Sequence, residues 1–245
     1  MLEYKERFLI SYEILFEDND ILAVNKLAPM PVLPDKTKDL DLQTLLQREH
    51  ASCQKFLEAV HRIDRRTSGI VVFAKSPRAL RILDEAFKNR AIHKTYLACL
   101  EKEPVPAAGI LKHSIVFDTK RNISIAISYD SVEAARKRLP ANTQLLDAEL
   151  TYTMVYKSDR YFFVTATPRT GRHHQIRAQF AAMGWPIKGD LKYGARRSTQ
   201  SGLLMLHAWK IEIPHPVSHE LLTLSARFPT SEKLWTIFDQ NTTNN

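Results

Sequence analysis

Along this chain, apolar and polar residues alternate in short runs more often than they recur at helical spacing. Ile14 to Phe16 and Ile21 to Val24, parted by the polar Glu17-Asp18-Asn19-Asp20, predict a hairpin. Residues 1 to about 12 carry no strong pattern. Pro29, Pro31 and Pro34 exclude a helix, so Leu27 to Asp35 is expected as an extended surface connection. Helical spacing runs from Leu42 to Phe56 and resumes after Ser76-Pro77, where an early proline and Leu80, Leu83 and Phe87 on one face predict a helix. Ile70 to Ala74 reads as a buried strand between them. Lys94 to Leu100, Ile110 to Phe117, Ile123 to Ile127, Ala148 to Tyr156 and Tyr161 to Thr167 follow as strands, a succession that suggests an antiparallel sheet. Ser131 to Arg138 is a short helix or charged loop, with Arg136, Lys137 and Arg138 a solvated face. Thr170-Gly171-Arg172 breaks the strand pattern, and His174 to Met183 is helical again. Leu203 to Ile213 and Leu221 to Phe228 predict two last strands, and Thr230 to Asp239 a closing helix before a polar tail.

Composition narrows the class. A chain of 245 residues with 44% hydrophobic content can bury a sizeable core in one large domain or two small ones. Its formal charge of +8 implies a basic surface suited to phosphate backbones, although anionic membranes or acidic proteins would also be attracted. Cys53 and Cys99 are too few for a disulfide framework and form no CxxC pair, which fits a reducing compartment. The first twenty residues lack a signal-type apolar region, and no apolar run approaches the roughly 18 residues of a membrane span. A soluble, cytoplasmic protein is expected. There is no internal repeat, P-loop or GxGxxG. His173 and His174 would point roughly 100° apart on a helix with no HExxH or acidic cluster nearby, so no metal site is expected. Hydrogen bonding or burial is their ordinary fate.

The stretch most loaded with chemistry is His61-Arg62-Ile63-Asp64-Arg65-Arg66-Thr67-Ser68-Gly69, which sets one carboxylate among three guanidinium groups ahead of the apolar run Val71 to Phe73. It reads as a loop or tight turn feeding a strand. Neighbouring arginines favour an ionised aspartate, as a nucleophile or electrostatic stabiliser requires. A structural ion pair capping the turn is the plainer reading. Farther on, Arg172 lies near a predicted helix N-terminus and Arg177 on its first turns, a setting that suits anions. Lys88, Arg90, His93 and Lys94 crowd a helix end, where they complement its dipole or contact a polyanion.

The nonapeptide resembles the HRLDRxTSG signature of the RluA-type pseudouridine synthases, with Ile63 in place of the usual Leu. ILAVNK, KTYLA at Lys94 to Ala98, RTGRHHQIR at Arg169 to Arg177, IKGDLKYG at Ile187 to Gly194 and LLMLHA at Leu203 to Ala208 extend the likeness, in order, over most of the chain. The proline-rich loop departs from the family, where a Val-His-Pro-like element is frequent. The resemblance implies an RNA uridine isomerase needing no cofactor. It implies an α+β fold with a mixed, mostly antiparallel central sheet, flanking helices and a central active-site cleft. By the same resemblance Asp64 is the catalytic carboxylate, Tyr96 stacks on the uracil, and Arg177 partners Asp64, with Arg172 the runner-up. Arg62 would fill the space of a flipped nucleotide, and Arg65, Arg66, Arg172 and Lys188 would meet RNA. Whether Asp64 attacks the sugar, attacks the base or acts as a base stays open.

Many members carry a separate S4-type RNA-binding domain, whereas here residues 1–245 are expected to form a single catalytic domain without one. The expected partner is a tRNA or ribosomal RNA stem-loop, not DNA or membrane, and the expected state a monomer. Two rivals remain. A noncatalytic RNA-binding or chaperone module would keep the fold without needing Asp64, Tyr96 and Arg177. A nucleoside or glycoside hydrolase would call for a second carboxylate, and none lies near Asp64 in sequence.

Overall fold

The computed structural model of the protein describes residues 12–27, 29–50, 56–140 and 142–242. The unpatterned first residues up to 11, and 51–55 of the expected Leu42 to Phe56 helix, lie outside them. The chain gathers into two compact units, one of residues 1–94, 200–203 and 207–236, the other of residues 95–199, 204–206 and 237–245.

The first unit opens with β1 (Tyr12–Glu17) and β2 (Ile21–Lys26), the expected antiparallel hairpin. Asp18 shapes its turn by accepting hydrogen bonds at 2.8 Å from the amides of Asp20 and Ile21. The following proline-rich segment is not helical, but neither is it wholly at the surface. Met30 and Val32 are buried, and the carbonyls of Pro31 and Val32 accept from the amides of Leu42 and Gln43. Those bonds bring the segment back onto the start of α1, and apolar residues among the prolines decide which part turns inward.

Helix α1 (Leu42–Glu49) begins where Asp41 accepts from the Thr44 amide at 2.9 Å. It ends at the His50 cap, and Phe56 is not helical, so the expected helix is cut short. Next come β3 (Glu58–Ala59) and β4 (Ser68–Ala74), and β4, buried throughout, pairs antiparallel with both β2 and β3. Helix α2 (Pro77–Lys88) starts at Ser76, whose hydroxyl accepts from the Ala79 amide at 3.1 Å. Leu83 enters the core among Ile21, Ile70 and Val72, with Leu80 and Phe87 against it. This cluster is the predicted face, built as the 3.6-residue period requires.

The second unit is an antiparallel sheet. Its strands are β5 (His93–Leu100), β6 (Ala108–Asp118), β7 (Ile123–Ser128), β8 (Leu146–Lys157) and β9 (Phe162–Pro168), in the order β5-β9-β8-β6-β7. After β7 a single 3-10 turn and α3 (Val132–Arg136) leave Arg136, Lys137 and Arg138 exposed, as expected. Helix α4 (Gln175–Ala182) packs on this sheet. Gln179 donates to the Leu111 carbonyl at 3.0 Å, and Phe180 meets the Tyr152 ring edge-on.

The chain then returns to the first unit. β10 (Leu206–Pro214) pairs in parallel with β4 and antiparallel with β11 (Leu221–Ser225), which makes that sheet mixed. Leu203 to Met205 are buried but precede the strand, so the strand expected from Leu203 starts later. Helix α5 (Lys233–Thr242) begins and ends three residues beyond the predicted bounds. Among the described residues no helix is long and apolar enough to cross a membrane.

Candidate active site

In the first unit the nonapeptide forms the loop between β3 and β4. Its turn closes where the Thr67 amide donates to the Asp64 carbonyl at 3.0 Å, which leaves Asp64 half-buried ahead of the strand. Gly69 explains why the loop can run so close to β10. Its φ is +112°, and a Cβ there would lie 2.3 Å from the carbonyl oxygen of Ala208. Backbone packed on backbone excludes any side chain. Ser68 and His207 lock the same junction at 2.8 Å. The other ring nitrogen of His207 faces the Ala226 carbonyl at 3.4 Å, and since a carbonyl only accepts, Nε2 donates and Nδ1 accepts from Ser68. Burial drives the His207 pKa down to about 3, so this histidine is neutral at neutral pH.

Under the loop lies Lys26, the last residue of β2 and fully buried. Its ammonium donates to the Arg65 carbonyl at 3.0 Å. Burial lowers its pKa to about 7, against the attraction of the nearby Asp64 carboxylate, which favours the charged lysine. His61 is also neutral, because burial takes its pKa to about 3. Its Nε2 accepts from the Val72 amide at 3.2 Å, tying the start of the motif to β4.

The three arginines of the motif part company. Arg62 is exposed. Arg65 turns to an acidic clamp, with Nη1 at 2.6 Å from Asp39 and Nη2 at 2.8 Å from Asp35. Hydrogen bonds from Thr37 and Arg65 hold the Asp35 carboxyl near 2. Arg66 donates through Nε to the Gly202 carbonyl.

In the second unit, the stretch Arg169 to Arg177 winds into the N-terminus of α4. The Gln175 side chain organises it, accepting from the Thr170 hydroxyl and the Arg172 amide and donating to the Glu149 carbonyl. His174 takes a left-handed backbone with φ of 51°. That conformation, rather than a helical one, places the His173 and His174 rings in a stack 3.8 Å apart, so the expected divergence of about 100° does not arise. Arg177, on the first turn, is 7% exposed. Its Nε and Nη2 donate to the two carboxylate oxygens of the fully buried Asp190 at 2.7 and 2.9 Å. The Arg177 Cζ lies over the Tyr193 ring, 4.8 Å from its centre.

These motifs match a known family. The model of the RNA pseudouridylate synthases covers residues 20–182 of the chain. The chain belongs to this family. The synthase is 31% identical over 217 residues to the dual-specificity RNA pseudouridine synthase RluA of Escherichia coli, across 87% of this chain and 91% of that one. It is 30% identical over 224 residues to tRNA pseudouridine synthase C of Haemophilus ducreyi, across 87% of this chain and 90% of that one. Among solved structures, human RNA pseudouridylate synthase domain containing proteins 4 and 1 superpose with TM-scores of 0.67 and 0.68, both at 24% identity. They cover 89% and 91% of this synthase and are themselves covered to 88% and 86%. That likeness establishes the shared α+β fold.

The other predicted site residues fall as follows in the synthase. Tyr96 sits in β5 opposite Ala166 and is 8% exposed. Arg172 is exposed and donates through Nε to the Asp147 carbonyl at 3.1 Å. The Lys188 ammonium turns inward, 3.5 Å from Glu101 and 3.3 Å from the Arg197 carbonyl. Sequence reasoning passed over Lys26, Ser68, His207, Asp190 and Tyr193 as site residues. A lysine closing a strand that opens with the apolar run Ile21 to Val24 was a signal for the first. Asp190 and Tyr193 stood in a quoted motif, but nothing in it told which side chain they would meet.

Proposed function

We propose that this pseudouridine synthase isomerises uridines in a structured RNA, a tRNA or ribosomal RNA stem-loop, with Asp64 as the reacting carboxylate. The observation that carries the reading is Asp64 itself. It stands in the family's signature on a backbone held from below by buried Lys26 and from behind by Gly69 against Ala208. In the reaction the N1–C1′ bond breaks, the uracil turns, and a C5–C1′ bond forms. The C5 proton leaves and N1 ends protonated, so atoms and electrons balance without an oxidant or a group donor. Reaching a base in folded RNA means extruding it, at a cost of a few kcal/mol.

In this reading Arg62, exposed and permanently charged, occupies the vacated stack. Tyr96 packs on the uracil, and the family motif makes Arg177 the cation that serves Asp64. Exposed Arg172, and Arg65 and Arg66 within the loop, add phosphate contacts, consistent with the charge of +8. Lys188 sits among Glu101 and the Arg197 carbonyl, which supports an internal tie more than an RNA contact. We take the protein to act in the cytoplasm as a monomer.

The test is to incubate the protein with tRNA and ribosomal RNA transcripts and score pseudouridine by chemical derivatisation. Wild type forms product, while Asp64→Asn binds RNA and folds normally but forms none. Near-normal turnover by Asp64→Asn would end the reading.

A further inference from the structure

Arg177 is anchored by more than an ion pair. Its guanidinium has one edge, Nε and Nη2, against Asp190, and its Cζ lies over the Tyr193 ring, 4.8 Å from the centroid. An edge contact fixes direction but permits rocking about the line through the two hydrogen bonds, whereas a ring packed beside the guanidinium limits that freedom. Tyr193 is itself held fast. Its hydroxyl accepts from the Ser124 amide at 2.7 Å and is hydrogen-bonded to His174 Nδ1 at 3.0 Å. The backbone agrees with this, because the amides of Tyr193 and Ala195 both donate to the Asp190 carbonyl at 3.0 Å. The aspartate on the edge and the tyrosine ring beside the guanidinium thus come from one short turn, Leu191–Tyr193 and its cap. His174 in turn stacks on His173, whose Nδ1 meets the Ser124 hydroxyl at 3.0 Å. A closed ring of contacts therefore runs from β7 through both histidines and Tyr193 to Arg177.

We infer that Tyr193 is a positioning residue of the isomerisation, which acts by fixing the plane of the Arg177 guanidinium. The inference rests on the reading that Arg177 serves the reaction. It also gives a role to the two adjacent histidines. They hold the tyrosine hydroxyl that keeps the ring in place.

The test exploits geometry. A guanidinium has a plane to be set and an ammonium has none. Single-turnover pseudouridine formation and RNA affinity are measured for Tyr193→Leu and Tyr193→Phe, each alone and combined with Arg177→Lys. Tyr193→Leu alone should slow the chemical step by about 10- to 100-fold, the scale of a small misplacement of a reacting group, with RNA affinity unchanged. Tyr193→Phe keeps the ring, loses the hydroxyl hold and should slow it less. In the Arg177→Lys background, itself slow, neither substitution should cost much more.

If both tyrosine variants react at the wild-type rate while Arg177→Ala is inactive, the inference falls and the proposed function stands. If Tyr193→Leu slows the Arg177→Lys enzyme by the same factor as wild type, Tyr193 acts on the fold and not through the guanidinium, and the inference also falls. If Arg177→Ala itself reacts normally, the failure lies in the role proposed for Arg177. Should Tyr193→Leu melt below assay temperature, the volume-keeping Phe variant decides by the same comparison.

Discussion

The loop of Asp64 and the turn of Arg177 hold opposite charges by opposite means. Around Asp64 the anchors are backbone atoms. Lys26 donates to the Arg65 carbonyl, the Thr67 amide donates to the Asp64 carbonyl, and Gly69 presses on the Ala208 backbone. Around Arg177 the anchors are side chains, the Asp190 carboxylate on the edge and the Tyr193 ring beneath Cζ. A side chain gripped directly is rigid and ready-aligned, as a stabilising charge needs. The contrast also predicts which substitutions hurt. The turn depends on one buried ion pair, the loop on tight backbone packing and one costly lysine.

The heaviest blow falls on the turn. Asp190→Ala leaves the guanidinium of Arg177 buried without its fork, and losing one partner of such a pair costs about 3–5 kcal/mol, measurable as a lower denaturant midpoint. If stability is unchanged, the pair is not a support of the second unit. Next comes Gly69→Ala in the loop. Its added carbon has no room and its backbone no relaxed alternative, so about 3 kcal/mol should be lost, again by equilibrium unfolding. A variant as stable as wild type would mean that β4 and β10 can part freely.

Lys26→Met sharpens the comparison through pH. The folded lysine titrates near 7, against an ordinary value of 10.5, so between those values the unfolded chain binds a proton that the folded one does not. Wild-type stability should therefore rise with pH from about 7 to 10.5, by up to about 1.4 kcal/mol per unit. The Met variant lacks this slope, and its relative stability is greatest below pH 7. Parallel stability curves for the two proteins would show that the lysine keeps its ordinary pKa. The smallest effect belongs to the exposed clamp. Arg65→Ala breaks contacts with Asp35 and Asp39, whose side chains are 39% and 59% exposed. Solvent screens such pairs, so the unfolding midpoint should not move measurably.

Part of this was legible in the sequence. The period-2 runs of the strands, Asp18 in its turn and Ser76-Pro77 at its helix came through because each rests on residues adjacent along the chain. The signature around Asp64 pointed to the family, and the structure places it on the strand-feeding loop that its glycine and apolar run implied. Local pattern misled where contacts override it. Helical spacing continued past Glu49, but the helix caps at His50. Prolines promised a surface loop, yet Met30 and Val32 turn into the core.

Residue types and spacing along the chain determined most of the strands and the net charge of +8, and the resemblance to the family supplied the candidate carboxylate. Only the tertiary structure decided that Lys26 is a buried amine under the Asp64 loop with its pKa lowered to about 7, that Asp190 and Tyr193 grip Arg177, and that two adjacent histidines stack. The reason is physical. A lysine's charge cost, a carboxylate's choice of arginine and the angle between neighbouring rings depend on what surrounds them, and those surroundings are assembled from segments far apart in the chain.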